Sequence, residues 1–170
     1  MITLKAYAAA GLTATALFAS AASHAQGMAT QVGGEFYQST CGFIANDVHL
    51  GQHEARSFTG VGSSTDWQTF TIRSTGCAAD LTHVFMTYHA TADADVPELF
   101  AFTGFTGVAL EMFTGAGSRP NVKIVPGGSI GWGARGSGEG WLHFVRLVQT
   151  TPAVNTGIGR IPITVTVSYR

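Results

Sequence analysis

The sequence predicts an all-β protein with the architecture of a β-sandwich, and three observations lead to this prediction. Only 11% of its 170 residues are charged, whereas 45% are hydrophobic and 22 are glycine. Short runs in which apolar and polar residues alternate are separated by turns rich in glycine and serine. No segment after residue 25 repeats its apolar residues with the period of an amphipathic helix. Together these features indicate two packed sheets in a single domain.

Residues 1–25 are expected to be a secretory signal peptide. Lys5 is the only charged residue in this segment, an almost unbroken apolar run covers residues 8–22, and Ser23-His24-Ala25 offers small residues for cleavage. A membrane anchor is the alternative, but the run is shorter than the roughly 20 residues of a spanning helix, and no basic residues follow it. Cleavage after Ala25 would leave a mature chain that begins at Gln26.

The mature chain has two cysteines, Cys41 and Cys77, which lie 36 residues apart. In an oxidising compartment such a pair is most simply one disulfide, and closing a loop of this length is worth about 4 kcal/mol in the chain-entropy model. A reactive or metal-binding cysteine is the alternative, but no C-x-x-C motif supports it.

Seven segments of the mature chain are predicted as strands. In the last of them every odd position is large and apolar, while every even position is Pro, Thr or Ser, as in a half-buried strand. The predicted strands are Val48–Phe58, Trp67–Arg73, Leu81–Ala90, Val108–Phe113, Val122–Val125, Trp141–Val148 and Ile161–Tyr169. The predicted turns are Gly60–Ser64, Ser74–Gly76, Gly115–Ser118 and Gly131–Gly140.

Two short motifs match catalytic or cofactor signatures, but their surroundings do not. Residues 127–131 fit the G-x-S-x-G nucleophile elbow around Ser129, and Glu139 and His143 follow it in a triad-like order. Residues 131–136 fit G-x-G-x-x-G. The first motif needs a strand before it and a helix after it, and the second needs a βαβ unit. In this glycine-rich stretch we interpret both as chance matches, so we predict neither an enzyme nor a cofactor.

Charge and histidine content exclude further classes of ligand. The formal net charge is −1, so no basic field is available for a nucleic-acid backbone or an anionic membrane. No dense metal-ligand motif is present, and the histidines of the mature chain are expected to be ordinary surface side chains; they are His49, His53, His83, His89 and His143. Trp132 and Trp141, around the glycine-rich loop, could stack on a sugar, which leaves carbohydrate binding as a minor alternative.

The two ends of the mature chain raise the question of an intermolecular role. The predicted strand Ile161–Tyr169 reaches the end of the sequence, so no later segment is available to pair with its far edge. Residues 26–40 are predicted as a loose extension in which Met28, Thr30, Val32 and Gly34 alternate weakly with their neighbours. This extension is either an ordinary edge strand with a frayed tail or a strand intended for another molecule.

In these features the chain resembles the pilin subunits of chaperone–usher fimbriae, the type 1-like group, over most of its mature length. The resemblance includes Cys41 after a short alternating extension, the leucine–glycine pair within residues 48–52, and Phe70-Thr71-Ile72 leading to the second cysteine. Its most specific part is a glycine fourteenth from the C-terminus, Gly157, with a penultimate tyrosine, Tyr169.

The resemblance implies an incomplete immunoglobulin-like β-sandwich over residues 41–170 that lacks its seventh strand. A groove beside the last strand would be filled first by a chaperone strand and then by the extension of the next subunit. Residues 26–40 would be that donor strand, with donor positions at Met28, Thr30, Val32 and Gly34. Thr30 departs from the pattern, because a larger apolar residue would fill a pocket better. The acceptor and chaperone edge would contain Gly157, Ile161, Ile163, Val165, Val167, Tyr169 and Arg170, the last through its terminal carboxylate.

The resemblance also implies a function without enzymatic activity. The chain would be a structural subunit of a cell-surface fimbria, exported through the periplasm, polymerised by donor-strand exchange and supporting bacterial adhesion. Its partners would be a periplasmic pilus chaperone, an outer-membrane usher and neighbouring pilin subunits. The alternative is a minor, adhesin-like tip subunit that binds host carbohydrate.

Overall fold

The computed structural model describes residues 41–170. The predicted signal peptide and the predicted donor extension, with Met28, Thr30, Val32 and Gly34, lie outside the described residues. Nine strands follow one another within residues 41–170: β1 (Cys41–Ile44), β2 (Gln68–Cys77), β3 (His83–His89), β4 (Phe100–Ala101), β5 (Val108–Ala116), β6 (Arg119–Ile124), β7 (Ser129–Gly133), β8 (Gly140–Gln149) and β9 (Thr164–Tyr169). A single 3₁₀ turn at Ala55–Ser57 is the one helical element of this part of the chain.

The strands form two antiparallel sheets, which confirms the predicted all-β class. The larger sheet has the order β1-β2-β8-β5-β4, with β6 also pairing with β5, and the smaller sheet has the order β7-β3-β9. The core lies between them and is filled by alternate residues, such as Val84 and Met86 of β3 and Trp141 and Val145 of β8. Across residues 41–170 no helix is long and apolar enough to cross a membrane.

The predicted disulfide between Cys41 and Cys77 is confirmed. The two residues are directly opposite each other at the ends of β1 and β2, so the bond fastens the edge strand of the larger sheet to its neighbour. Cys41 is buried and belongs to the hydrophobic core.

Two predictions about the β1–β2 region are wrong. Residues 48–54 form neither strand nor helix, and the 3₁₀ turn follows them, so Val48–Phe58 is not a strand. Residues 74–76 are not a turn, because β2 continues through them to Cys77. Gly76 pairs with Gly42, and a Cβ at Gly42 would lie 1.9 Å from the Thr75 hydroxyl oxygen. Gly42 therefore permits close strand packing, while Gly76, whose φ of 130° favours glycine, continues β2 where the sequence predicts a turn.

The predicted turn at Gly131–Gly140 is confirmed only over residues 134–139, because its first three residues end one strand and Gly140 begins the next. Residues 129–133 form β7, which pairs with β3. Gly131 lies under the Phe85 ring, and a Cβ there would come within 2.9 Å of that ring. The glycine thus makes room for an aromatic ring on the neighbouring strand and does not mark a reversal of the chain.

The last strand is shorter than predicted, but its alternation is confirmed. Pairing begins at Thr164 rather than at Ile161. From residue 161 to residue 169, every odd-numbered side chain is half-buried and every even-numbered one is exposed. One face of this segment therefore points to the core and the other to solvent.

Candidate functional site

The outer edge of β9 has no partner strand among residues 41–170. β9 pairs with β3 along one side, from Thr164 opposite His89 to Tyr169 opposite Val84. Its other side ends the smaller sheet. An unpaired strand edge presents main-chain N–H and C=O groups that another strand can bind.

Burial differs sharply between β9 and the strand beside it. On β3 the core-facing Val84, Met86 and Tyr88 are 0%, 0% and 1% exposed. The residues directly opposite them on β9 are Tyr169, Val167 and Val165. Directly opposite residues point to the same face of a sheet, yet these three are only half-buried. The core is therefore complete over β3 and incompletely covered beside β9.

The other edge of the smaller sheet, β7, is covered differently. The ring of Trp132 lies 6.4 Å from that of Trp141 and 5.7 Å from that of His143, so it packs into the core. β7 is also only five residues long, and three of these are glycine or serine. Short, glycine-rich edges are poor templates for pairing, so β9 offers the better binding edge of this sheet.

We call the half-buried apolar surface beside β9 the open flank. Its members all pack against the buried core and come from β9, from the run before it, and from β1, whose Phe43 ring contacts Tyr169. They are Ile161, Ile163, Val165, Val167, Tyr169 and Phe43. Five residues of the acceptor edge predicted from the sequence therefore share this surface with Phe43, which sequence reasoning missed. Phe43 could not be identified because it lies outside the strands predicted from the sequence.

One end of the open flank is closed by a contact between the two sheets. The Tyr169 hydroxyl donates to the Cys41 carbonyl oxygen at 3.0 Å. The Phe43 ring stacks on Tyr169, with centroids 6.4 Å apart, and lies tilted by 36° against the Trp141 ring, with centroids 5.6 Å apart. The last strand of the smaller sheet is thus held against the first strand of the larger one at this end.

Gly157 and Arg170 lie beyond the two ends of β9. A Cβ at Gly157 would lie 2.3 Å from the Gly104 carbonyl oxygen, so this glycine lets two backbone segments pack closely. At the other end the Arg170 N–H donates to the His83 carbonyl at 3.0 Å, and its guanidinium lies 5.2 Å from the centre of the Phe85 ring. Both residues position the edge strand; their contact with a chaperone stays a prediction.

The alternative sites considered from the sequence are not assembled. Both ring nitrogens of His143 are occupied by other groups, Tyr88 and the Trp141 carbonyl, so neither serves Ser129. Trp141 is 1% exposed and its Nε1 donates to the Gly133 carbonyl, so its ring is not available to stack on a sugar. Within residues 41–170, no three His, Cys, Asp or Glu side chains are grouped so that they could hold a metal ion.

The expectation that all the histidines lie at the surface is wrong for one of them. His49, His53, His83 and His89 are exposed, but His143 is fully buried in the core. Its hydrogen bond to Tyr88 satisfies a polar ring nitrogen that would otherwise make such burial costly.

Solved structures with the same fold are subunits of bacterial pili. No protein-family model and no curated protein sequence matches the chain. A structure of a chaperone–usher pilus that concerns rod uncoiling matches with a TM-score of 0.64 at 13% identity, covering 85% of this chain and 97% of that one. The P pilus rod subunit PapA matches with a TM-score of 0.64 at 13% identity, covering 76% and 99%.

A third structure, the CupB6 tip adhesin from Pseudomonas aeruginosa, matches with a TM-score of 0.58 at 18% identity. The match covers 74% of this chain but only 38% of the adhesin chain. At such identities the likeness establishes the fold. The chain has the incomplete immunoglobulin-like fold of chaperone–usher pilus subunits.

Proposed function

We propose that this chain is a structural subunit of a chaperone–usher fimbria, polymerised by donor-strand exchange and supporting bacterial adhesion. The observation that carries the proposal is the contrast between β3 and β9. Core-facing residues of β3 are fully buried, whereas Val165, Val167 and Tyr169 opposite them are half-buried beside an unpaired edge. A strand from a second molecule would complete both the hydrogen bonding and the burial.

The free energy available to such a strand is substantial. Each apolar side chain that is fully buried contributes about 1.5–3 kcal/mol, and each added main-chain hydrogen bond contributes about 1 kcal/mol. An added strand would find both kinds of interaction at β9. The unpaired main-chain groups of its edge can form hydrogen bonds, and its odd-numbered side chains face the core. Several of each would give a tight joint that dissociates slowly.

We assign the donor role to residues 26–40 of a neighbouring subunit, with Met28, Thr30, Val32 and Gly34 facing the open flank. These residues directly precede β1, at the edge of the larger sheet. Donor strand and acceptor edge are different surfaces of one chain, so repeated exchange generates an open filament rather than a closed ring. A periplasmic chaperone would occupy the same edge before assembly at an outer-membrane usher.

We favour a structural position over the sugar-binding tip alternative. The aromatic pair that would serve as a sugar platform is part of the core, because Trp141 is buried and Trp132 packs on it. The fold likeness extends over nearly the whole length of rod subunits and over a minor part of the tip adhesin.

A peptide of residues 26–40 tests the donor assignment. The peptide is added to a mature chain that lacks Gln26–Gly34, and thermal unfolding is followed at increasing peptide concentration. We expect the melting temperature to rise with concentration, because a ligand of the folded state stabilises it. A peptide of scrambled order is expected to leave the melting temperature unchanged.

Two aspartate variants on neighbouring positions of β9 provide the matched control. Val167 points to the open flank and Thr166 points to solvent. We expect Val167→Asp to abolish stabilisation by the peptide, since it places a charge where an apolar contact is needed, whereas Thr166→Asp retains it. Equal peptide binding by both variants would contradict the assignment of this edge as the acceptor.

A further inference from the structure

His143 occupies an unusual position for an ionisable side chain. It lies on β8 in the middle of the larger sheet and is 0% exposed. Its Nδ1 is 2.8 Å from the Trp141 carbonyl oxygen, and its Nε2 is 2.7 Å from the Tyr88 hydroxyl. Tyr88 belongs to β3 of the smaller sheet, so the second hydrogen bond joins the two sheets through the core.

The partners of the ring define its protonation state. A carbonyl oxygen only accepts hydrogen bonds, so Nδ1 carries the proton of the neutral ring. Nε2 is then an acceptor, and the Tyr88 hydroxyl donates to it. Both ring nitrogens are satisfied while the ring is neutral.

Among residues 41–170, the neighbours of His143 include no carboxylate that could pair with a positive charge. The Phe70 ring of β2 stacks on it with centroids 4.7 Å apart, and the Trp132 ring of β7 lies 5.7 Å away. Thr114 of β5 is its cross-strand neighbour. The titratable group in contact with it is Tyr88, and burial raises the pKa of this hydroxyl, which keeps it neutral. None of these residues carries a negative charge at neutral pH.

We propose that His143 is an acid-sensitive joint between the two sheets, so that protonation of its ring weakens the fold as the pH falls below neutrality. Protonation would turn Nε2 into a donor, and the Tyr88 hydroxyl hydrogen would have to leave it. The alternative acceptor is the Met86 sulfur, 3.7 Å from the Tyr88 oxygen, which is a weak one. Acid therefore reverses the hydrogen bond between His143 and Tyr88, leaves the Tyr88 O–H with only the Met86 sulfur as acceptor, and places a positive charge in the core, which is costly.

The pH range over which the fold loses stability follows from the difference in the His143 pKa between the folded and the unfolded chain. Burial lowers the pKa of His143 from 6.5 to about 4 in the folded protein. Between these values the unfolded chain binds a proton that the folded chain does not, so stability is complete above about pH 6.5 and is lost as the pH falls towards 4. The acid constants of His143 in the folded and unfolded chain differ about 300-fold. Complete protonation of the ring would therefore raise the unfolding equilibrium constant by about the same factor.

This property goes beyond the proposed role in a fimbria, but it concerns a neighbouring part of the molecule. Tyr88, the hydrogen-bond partner of His143, lies directly opposite Val165 of β9. The acid-sensitive joint thus lies one strand away from the edge that we assign to strand binding. It is a property of the folded chain, whatever partner that surface has.

Urea unfolding of the mature chain between about pH 7.5 and pH 4.5 tests the proposal. His143→Gln keeps a neutral polar side chain without a titrating group, and His83→Gln and His89→Gln are controls at exposed positions of β3. We expect the unfolding midpoint of the wild type and both controls to fall as the pH decreases, and that of His143→Gln to fall much less. The same decrease in His143→Gln as in the wild type would overturn the proposal.

A measurement on the wild type covers the case in which His143→Gln does not fold. The ring Cε1–H resonances of the histidines are followed by NMR over the same pH range. We expect the resonance of His143 to stay at its neutral position down to about pH 5. Titration of the His143 resonance near pH 6.5 would also overturn the proposal.

Discussion

The hydroxyl of Tyr169 stabilises one end of the open flank by joining the two sheets. It donates to the Cys41 carbonyl at 3.0 Å, and Tyr169→Phe removes this bond while keeping the ring that stacks on Phe43. We expect a loss of about 1 kcal/mol in the free energy of unfolding, the usual contribution of such a bond. Urea unfolding measures it, and Ser168→Ala, on the exposed face of the same strand, is the control. Equal losses in both variants would show that the hydroxyl has no special role.

Single residues also show where sequence reasoning is reliable. Alternation in the last strand fixed the faces of residues 161–169, because the side-chain period of a strand is two, whatever the strand packs against. The burial of His143 was not foreseeable, since it depends on Tyr88, a residue 55 positions away on the other sheet. The burial of a polar side chain is decided by its partner, and local sequence does not name that partner.

At the scale of elements, the run before β9 is held in place by close backbone packing. A Cβ at Gly157 would lie 2.3 Å from the carbonyl oxygen of Gly104, which can move only if the backbone moves. We expect Gly157→Ala to lower the free energy of unfolding by about 1–3 kcal/mol, the usual cost of overpacking. Gly60→Ala is the matched control, because nothing lies within 4 Å of a Cβ there. Thermal or urea unfolding compares the two; a Gly157→Ala variant as stable as Gly60→Ala would contradict this account.

The edge strand β1 depends on its covalent link to β2. β1 has only four residues, and its register shifts after Gly42. We expect a Cys41→Ala/Cys77→Ala double variant to lose about 4 kcal/mol, because the unfolded chain regains the freedom of a 36-residue loop. Urea unfolding of the oxidised wild type, the reduced wild type and the double variant checks this. The reduced wild type should resemble the double variant, and stability equal to that of the oxidised protein would contradict the expectation.

The elements that the sequence misplaced have one physical feature in common. β7 is not apparent from the sequence because Gly131 lies in a glycine-rich run that predicts a turn, although this glycine makes room for the Phe85 ring. The end of β2 is not apparent because Gly76 also predicts a turn, although its φ of 130° lets the strand continue to Cys77. A glycine can mark a reversal of the chain, a close neighbour or an unusual backbone angle within a strand, and only the three-dimensional structure distinguishes them.

At the scale of the whole molecule, the contrast between a complete core at β3 and an incomplete one at β9 favours association. Other β-proteins protect their edges by pairing or covering them, whereas the core-facing Val165 and Val167 here stay half-buried. The sequence anticipated this edge through the alternation of residues 161–169. It could not anticipate the Phe43 ring of β1, which stacks on Tyr169 from the other sheet.

If a strand from a second copy completes the core, the mature chain Gln26–Arg170 should form a ladder of multimers when purified at high concentration without a chaperone. Each joint would bury an apolar strand between two sheets, so we expect the multimers to survive SDS at room temperature and to dissociate on heating. Deletion of Gln26–Gly34 should abolish the ladder, while fusing residues 26–40 to the C-terminus through a flexible linker should give a stable monomer in the deleted chain. Gel electrophoresis with and without heating, together with light scattering, distinguishes these forms. A deleted chain that is monomeric, well packed and as stable as the fused one would show that the open flank needs no partner strand.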